Sequence, residues 1–361
     1  MNEPAKEGIS LQSAIFDGNG HFNIIDVPTP LIGSDDVLVR MSTCGVCGTD
    51  VHKVVSCSVP RGSVLGHEVS GTVVEVGSNV DKVQVGDRVA LAHHVPCFDC
   101  QYCRRGQHSL CPHYSKTNLI PGGFSEYFVA SGEHVNHTLR KLPNDMPFSV
   151  ASFMEPLACV IQGQRRANVS PGDTVLILGA GPIGVLHTQL AVVNGASAIY
   201  VSDPVEWRRV TAVRLGASTS FNPVEQNVVD EVISSTNGIG VDIAIICAEL
   251  PSLIQVAMKA VRRGGIVLVF TDIREPIEFS AERFFRDEIT VVGSYSSSPY
   301  DYDYALQLLY KGQIDINGMF PKVYDLNEIN EAMDMAKHPA EGVLKVMVVS
   351  DESDIIHEVR K

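Results

Sequence analysis

The sequence of 361 residues is long enough for about two domains, and its 45% hydrophobic and 19% charged residues exclude an intrinsically disordered chain. The 28 Lys and Arg residues are outnumbered by 42 Asp and Glu residues, which gives a formal net charge of −14. Because a field of that sign repels nucleic-acid phosphates and anionic lipid, we expect neither a nucleic acid nor a membrane as a partner.

The sequence also indicates the compartment. No apolar run reaches the roughly 18 residues that span a bilayer, and residues 1–10 contain no basic segment leading into an apolar one. Nine cysteines, an odd number in a long chain, are not typical of a disulfide framework. We therefore expect a cytoplasmic protein.

The first part of the chain predicts a β-rich unit. From about residue 11 to residue 91, short runs of alternating apolar and polar residues are separated by Gly and Pro. Runs such as 36–42, 71–77 and 86–90 have the period of half-buried strands. The pattern favours an antiparallel, barrel-like arrangement.

Four of the cysteines lie at short, regular intervals. They form the pattern Cys97-x2-Cys100-x2-Cys103-x7-Cys111. Such spacing in a chain without a disulfide framework is typical of metal ligation in a tight lobe.

A second set of metal-ligand residue types is spread over the same half of the chain. It contains Cys47, His67, Glu68 and Glu155. Separately, a cysteine or a lone histidine is more often structural than catalytic. Together these residues offer one thiolate, one imidazole and two carboxylates, and catalytic zinc takes three protein ligands of these types while a fourth position stays open.

From about residue 171 the pattern changes to alternating strands and helices. Continuously apolar runs lie at 174–178, 198–201, 241–246, 265–270 and 289–292. Helical patterns such as 205–215 and 251–261 separate them, which predicts a doubly wound parallel sheet covered on both faces. A further helix at 302–310 and a final strand at 342–349 complete the chain.

The first of these strands leads into a glycine motif. It reads Gly179-Ala-Gly181-Pro182-Ile183-Gly184 and precedes a helical pattern. In that context Gly179 allows a tight turn, Gly181 lets the backbone approach a pyrophosphate, and Gly184 allows close packing of helix on strand. The helix N-terminus supplies free N–H groups for the phosphates.

An acidic residue follows at the position that dinucleotide-binding folds use for the ribose. Asp203 lies 19 residues after Gly184, at the end of the next strand, where it would accept hydrogen bonds from the ribose hydroxyls. A carboxylate there repels a 2′-phosphate, which favours NAD over NADP. Arg208 either stacks on the adenine or is a solvated residue on a helix face.

These motifs together resemble the zinc-dependent medium-chain alcohol dehydrogenases, and among them the sorbitol (polyol) dehydrogenase branch. The resemblance implies an α/β two-domain fold, with a GroES-like, β-rich catalytic domain and a Rossmann domain around a cleft that holds zinc and nicotinamide. The implied boundaries are 1–155 for the catalytic domain, 156–295 for the Rossmann domain, and 296–361 for a segment that returns to the catalytic domain.

The resemblance also implies roles for single residues. Cys47 and His67 match the thiolate and imidazole ligands of the catalytic zinc, and Glu68 matches a carboxylate that binds it directly or through water. Glu155 is a further ligand or a carboxylate on the substrate side. The ligands of a structural zinc match Cys97, Cys100, Cys103 and Cys111. Together with the catalytic zinc, the resemblance thus implies two zinc ions per chain.

Thr49 and His52 match the family's proton relay from substrate to solvent. For the remaining cysteines, and for the pair His93 and His94, we expect packing roles rather than metal ligation. Cys44 is expected to be a packing residue, and His93 and His94 are expected to pack beside the cysteine lobe. The other three cysteines are expected to be buried: Cys57, Cys159 and Cys247.

The implied activity is oxidation of a secondary alcohol in a polyol or sugar-like substrate to a ketone, with hydride transfer to NAD. One alternative is a threonine dehydrogenase-like enzyme that oxidises an amino alcohol, and another is a non-catalytic dinucleotide-binding protein on the same fold. The resemblance suggests a homotetramer or homodimer. The motifs leave open which polyol is the substrate, because pocket-lining residues lie on loops outside them.

Overall fold

The computed structural model describes residues 10–277, 281–319 and 321–350. The chain forms two compact units: unit 1 contains Met1–Glu155, Tyr302–Tyr310 and Pro321–Lys361, and unit 2 contains Pro156–Asp301 and Lys311–Phe320. Of the N-terminal stretch considered above, residues 1–9 lie outside the described residues. Residues 351–361, which end the predicted segment 296–361, lie outside them as well.

The described residues form fifteen strands and eleven α-helices. The strands, in chain order, are β1 (Ser10–Phe16), β2 (Phe22–Pro28), β3 (Val37–Gly45), β4 (Glu68–Val76), β5 (Arg88–Leu91), β6 (Tyr127–Ala130), β7 (Arg140–Lys141), β8 (Thr174–Leu178), β9 (Ala198–Ser202), β10 (Thr219–Phe221), β11 (Val241–Ile246), β12 (Val261–Val269), β13 (Thr290–Gly293), β14 (Pro321–Asp325) and β15 (Lys345–Val349). The helices are α1 (Gly48–Val55), α2 (Gly132–His137), α3 (Phe148–Ala151), α4 (Met154–Arg166), α5 (Pro182–Val193), α6 (Glu206–Arg214), α7 (Val228–Ser235), α8 (Ser252–Ala260), α9 (Glu282–Arg286), α10 (Tyr302–Tyr310) and α11 (Ile329–Lys337). None of the described helices combines the length and the apolar character that a membrane span requires.

Unit 1 is built on a mainly antiparallel sheet in the order β14-β15-β3-β4-β5-β7, with β6 paired to β3 and a separate β1-β2 hairpin. Strand β3 is almost entirely buried because it pairs with β4, β6 and β15. At Gly71 a side chain would overlap the carbonyl oxygen of Arg40 on β3, so glycine allows β3 and β4 to approach closely. The predicted β-rich unit is confirmed.

Unit 2 contains a six-stranded parallel sheet in the order β10-β9-β8-β11-β12-β13. The order reverses at β8, which pairs with β9 on one side and with β11 on the other. Ligands of doubly wound sheets bind at the carboxyl ends of the strands at such a reversal. The predicted doubly wound parallel sheet is confirmed, and its reversal point coincides with the glycine motif after β8.

Several strand boundaries differ from the sequence-based expectation, and two of them have a visible structural reason. Strand β12 begins at Val261, four residues before the predicted run, because Val261 pairs with Val241 and the register then shifts before the pairs resume at Ile243 and Ile266. Strand β15 begins at Lys345 rather than at Gly342, because Gly342 has a φ of 84° and lies in a turn.

Candidate metal centre and cofactor site

Three of the predicted ligands meet at one end of the unit 1 sheet. The ligand atoms of Cys47, His67 and Glu68 lie within 4.8 Å of one another. Cys47 precedes the first turn of α1, Glu68 is the first residue of β4, and His67 immediately precedes that strand. The turn before them depends on Gly66, which has a φ of 85° and whose side chain would clash with Phe124. His67 and Glu68 are buried, whereas Cys47 is half-buried.

A buried carboxylate orients this cluster. Asp50 is inaccessible to solvent, and its carboxylate accepts the backbone N–H of Cys47 at 3.1 Å and faces Nδ1 of His67 at 3.4 Å. Burial alone would raise the pKa of Asp50, but His67 and the Cys47 N–H outweigh it, so the pKa lies below its usual value. A carboxylate at Nδ1 leaves Nε2 of His67 free to bind a metal.

Glu68 is paired with a lysine from the far end of the chain. Lys345 Nζ lies 2.5 Å from Glu68 Oε2 and donates to the carbonyl oxygen of Val46 at 3.0 Å. Burial would lower the pKa of Lys345, but the Glu68 carboxylate outweighs it, so the pKa is raised and the ammonium stays charged. Gly45 makes room for this pair, because a Cβ there would overlap Glu68 Oε2.

Sequence reasoning missed Asp50 and Lys345 as parts of the site. Asp50 carries a local signal, since it is the third residue of α1 and caps the helix by accepting the N–H of Cys47. Lys345 is the single charged residue of the otherwise apolar strand β15, and a lone charge in a fully buried strand requires a partner.

Glu155 is not a member of the compact cluster that the described residues form. It is buried in the first turn of α4, with 7% of its surface exposed, but among the described residues it does not belong to the group within 4.8 Å. The group therefore offers one thiolate, one imidazole and one carboxylate, a donor set that fits catalytic zinc with a further position open.

The four cysteines of the predicted lobe converge as well. The sulfur atoms of Cys97, Cys100, Cys103 and Cys111 lie within 4.8 Å of one another, and all nine cysteines of the chain are free. Backbone N–H groups of Cys97 and His113 donate to the sulfur of Cys111 at 3.3 and 3.4 Å. Burial would raise the pKa of Cys111, but these donors lower it below its usual value. Four sulfurs in this arrangement fit a closed tetrathiolate zinc site.

A row of rings connects the two groups of ligands. The ring centroid of His67 lies 4.6 Å from that of His93, which lies 3.7 Å from that of His94. The His94 ring is 5.0 Å from that of Tyr114, which is packed with two cysteines of the lobe. His94 thus packs beside the lobe, whereas His93 packs against a predicted metal ligand.

The remaining cysteines differ in environment. Cys44 is buried, and its sulfur would clash with any side chain at Gly66. Cys57 is exposed, so the expectation that it is buried is wrong. It follows α1 with a φ of 48°, where the chain turns into an exposed loop. Cys159 and Cys247 are half-buried rather than fully buried.

Thr49 and His52 lie one turn apart on α1. Thr49 is exposed and His52 is half-buried. No hydrogen bond joins their side chains in the described part of the chain, and Nε2 of His52 is buried without a partner there. This nitrogen is available to a group that the chain itself does not supply.

In unit 2 the glycine motif adopts the geometry that its spacing predicts. Gly179 has a φ of 105°, and a Cβ at Gly184 would overlap the carbonyl oxygen of Gly179. Gly181 caps α5 and has open space on the side where a Cβ would lie. Pro182 and Ile183 form the start of α5, where the missing N–H of proline costs no helix hydrogen bond.

Asp203 follows β9 and is tied to the glycine turn. Its Oδ2 accepts the N–H of Ala180 at 2.8 Å and its Oδ1 that of Val205 at 2.9 Å. Because each carboxylate oxygen has a second lone pair, both can accept a further hydrogen bond. Arg208 lies with its guanidinium 5.4 Å from the ring centre of Trp207, and its buried Nε has no partner among the described residues.

Comparison with known proteins identifies the family. A model of the alcohol dehydrogenase GroES-like domain matches residues 33–144, and a model of the zinc-binding dehydrogenase domain matches residues 182–311. A sorbitol dehydrogenase of Bombyx mori is 32% identical, over 93% of this chain and 97% of its own. The chain belongs to the zinc-dependent medium-chain alcohol dehydrogenases.

Further relatives place this dehydrogenase in the sorbitol-like branch and confirm the prediction of an enzyme. The D-arabitol-phosphate dehydrogenase of Enterococcus avium is 32% identical, over 96% of this chain and 98% of its own. An L-threonine 3-dehydrogenase of Pyrococcus abyssi is 31% identical, over 90% of this chain and 94% of its own. It represents the less favoured alternative. A zinc-binding dehydrogenase of Sinorhizobium meliloti, solved bound to NADP, is 30% identical with a TM-score of 0.85, over 94% of this chain and 99% of that one.

Proposed function

We propose that this dehydrogenase oxidises a secondary alcohol group of a polyol to a ketone, with NAD as the hydride acceptor. The observation that carries the proposal is the convergence of Cys47, His67 and Glu68 on one small volume in unit 1. Relatives named for sorbitol and D-arabitol phosphate support a polyol as the substrate.

Zinc would be held by Cys47 and His67, with Glu68 or Glu155 as the carboxylate. Bound there, zinc supplies the Lewis acidity that lowers the pKa of an alcohol oxygen. Asp50 keeps His67 in the tautomer and orientation that metal binding needs. Lys345 fixes the Glu68 carboxylate.

Thr49 and His52 form the proposed route for the proton. Oxidation of an alcohol releases the hydroxyl proton, which must reach solvent. The Thr49 hydroxyl can both accept and donate a proton, and the imidazole of His52 offers two ring nitrogens that can accept or donate one. The buried, unpartnered Nε2 of His52 supports this role, because the atom is free to accept.

NAD would be bound by unit 2, and when bound it supplies the hydride acceptor. The open face of Gly181 supports the approach of a pyrophosphate to the first turn of α5, whose N–H groups favour anions. Asp203 supports NAD rather than NADP, because its second lone pairs suit ribose hydroxyls and its charge repels a 2′-phosphate. Arg208 lies five residues further on, in α6, and its buried, unpartnered Nε supports a contact with the cofactor.

Cys97, Cys100, Cys103 and Cys111 would hold the second zinc ion, with a structural role. The proposal also includes a cytoplasmic location, which the nine free cysteines support, and assembly into a homotetramer or homodimer. Size-exclusion chromatography with light scattering measures the assembly.

A substrate panel tests the function. Purified protein is assayed for NAD reduction with sorbitol, xylitol, D-arabitol, D-arabitol phosphate, cyclic polyols, L-threonine and simple secondary alcohols, and its zinc content is measured. We expect the highest kcat/KM with a polyol and two zinc ions per chain. Preference for L-threonine would instead establish the amino-alcohol alternative, and one zinc ion without turnover would indicate a non-catalytic dinucleotide-binding protein.

A further inference from the structure

The sequence contains four Asn-Gly pairs, and the structure separates one of them from the other three. The pairs begin at Asn19, Asn194, Asn237 and Asn317. Asparagine is a chemically labile residue, and a glycine after it offers a backbone nitrogen that no side chain shields and a backbone that bends easily. Attack of that nitrogen on the asparagine side chain requires an N–H group that is not held in a hydrogen bond.

In three of the pairs the glycine N–H is engaged. Two of these glycines follow α5 and α7 and donate to a carbonyl oxygen of the helix before them, at 3.0 and 2.8 Å: Gly195 to Val192 and Gly238 to Ile233. The third, Gly318, donates to the carboxylate of Asp315 at 2.8 Å. Because Asn237 and Asn317 are exposed, exposure of the asparagine does not distinguish the pairs, whereas the state of the glycine N–H does.

The fourth pair lies in the turn that joins β1 to β2. The carboxylate of Asp17 accepts the N–H of Asn19 at 2.7 Å and that of His21 at 3.1 Å. The N–H of Gly20, which stands between them, makes no hydrogen bond within the part of the chain that the structure describes. Asn19 is exposed, and a Cβ at Gly20 would meet nothing within 4 Å. The two reacting groups therefore stand in an open turn.

We propose that Asn19 is a site of spontaneous deamidation in the folded protein. The nitrogen of Gly20 loses its proton to hydroxide and forms a bond to Cγ of Asn19. The bond between Cγ and the side-chain nitrogen breaks, ammonia leaves, and a succinimide ring remains. Water then opens the ring at either carbonyl group and leaves an aspartate or an isoaspartate, so the reaction needs neither an oxidant nor a reductant. Both products place a second carboxylate beside that of Asp17.

The test follows all four pairs in the same sample. The folded full-length protein is aged at mildly alkaline pH, and the conversion of each asparagine is measured by peptide mapping with mass spectrometry. A bonded glycine N–H must first be released by local opening. We therefore expect the rate at Asn19 to exceed that at each other pair by at least about tenfold, the equivalent of about 1.4 kcal/mol. In protein unfolded by urea the four rates should approach one another, because no pair keeps its hydrogen bond.

Two variants complete the experiment. Asn19→Gln should abolish the early release of ammonia from the folded protein. Asn23→Gln replaces another exposed asparagine of the same hairpin, which is followed by Ile24 rather than by a glycine, and should leave that release unchanged. Conversion that begins at another pair, or that spares Asn19 while the unfolded protein reacts, would overturn the inference. An excess at Asn19 that persists undiminished in urea would overturn it too, because the neighbouring sequence and not the fold would then set the rate.

Discussion

The carboxylate of Asp203 holds the glycine turn and still has lone pairs for a ligand. Replacing it by asparagine keeps an oxygen for one backbone N–H but removes the negative charge. We therefore expect Asp203→Asn to lower the ratio of kcat/KM for NAD to that for NADP by about tenfold, or about 1.4 kcal/mol. Steady-state kinetics with both cofactors measure the ratio.

A matched variant separates cofactor choice from turn stability. Asp173→Asn changes a carboxylate that accepts the N–H of Ser170 in another turn of unit 2, and it should leave the ratio unchanged. Wild-type protein that used NADP as efficiently as NAD would show that Asp203 does not select the cofactor.

Gly45 determines whether the Glu68–Lys345 pair can form. Because an added Cβ would overlap Glu68 Oε2, Gly45→Ala must displace a buried ion pair or distort β3. We expect a loss of about 1–3 kcal/mol in the free energy of unfolding, as for other overpacked cores, and several-fold faster loss of zinc to a chelator. Denaturant titration and chelator kinetics give the two values.

Gly48→Ala is the control for this effect. Gly48 is the first residue of α1, and a Cβ there would meet nothing within 4 Å. Zinc loss at the wild-type rate in Gly45→Ala would mean that Glu68 and Lys345 do not help to retain the metal.

Single residues of the site differ in how well the sequence predicts them. The lobe cysteines stand at spacings typical of metal ligation, whereas Cys47 and His67 were predicted as ligands from the resemblance to a family. The partners Asp50 and Lys345 could not be found in that way, because hydrogen bonds and ion pairs depend on tertiary contacts. Lys345 and Glu68 are 277 residues apart in sequence and meet only because β15 pairs with β3.

Among the elements, the cysteine lobe has little apolar core of its own. Its buried cluster consists of Cys103, Cys111 and Tyr114, with Cys100 packed against it. A metal ion there would contribute directly to folding free energy. We expect Cys100→Ser to lose one zinc ion per chain and to lower the melting temperature by at least about 4 °C, the shift that about 1–2 kcal/mol produces in domains of this size.

Cys57→Ser is the comparison, because Cys57 is an exposed cysteine outside the lobe. Scanning calorimetry and metal analysis should show no change in that variant. A Cys100→Ser protein with wild-type stability but no turnover would assign the catalytic role to the lobe instead.

Strands and helices were predicted best where at least one of their faces is apolar. The strands at Thr174–Leu178 and Val241–Ile246 and the helix at Tyr302–Tyr310 have the bounds that the sequence indicates. Apolar periodicity specifies the middle of an element, whereas its ends depend on pairing with other strands. For this reason β12 extends towards its N-terminus to meet Val241, which no local pattern reveals.

At the scale of the whole molecule, the candidate metal centre and the candidate dinucleotide site belong to different units. Cys47 and His67 lie in unit 1 and the glycine motif lies in unit 2, and each unit has its own core cluster. We expect Cys47→Ser and His67→Gln to reduce kcat at least about 10³-fold, because the Lewis acid would be lost, while NADH affinity changes less than about twofold, because the substituted residues belong to unit 1 and the glycine motif belongs to unit 2.

Fluorescence titration with NADH measures the affinity, and circular dichroism confirms that the variants are folded. Gly181→Val, which places a side chain in the open space of the glycine turn, should show the opposite behaviour, with weak NADH binding and unchanged zinc content. A parallel loss of NADH affinity in Cys47→Ser would contradict the separation of tasks.

The general fold and the family followed from the sequence because both rest on motifs with fixed spacing. The change from short alternating runs to continuous apolar runs predicts two kinds of sheet, and the structure contains both. Substrate choice is not encoded in such motifs. It depends on side chains that only tertiary contacts bring together, which no local pattern reveals.

The row of rings from Tyr114 to His67 has a thermodynamic consequence. Because close-packed rings do not shift independently, we expect an ion that orders the lobe to restrict the imidazole at the other end of the row as well. By linkage, the ion at His67 must then favour occupancy of the lobe by the same factor. Titration with a chelator should therefore remove the two ions cooperatively, along a curve steeper than that of two independent sites.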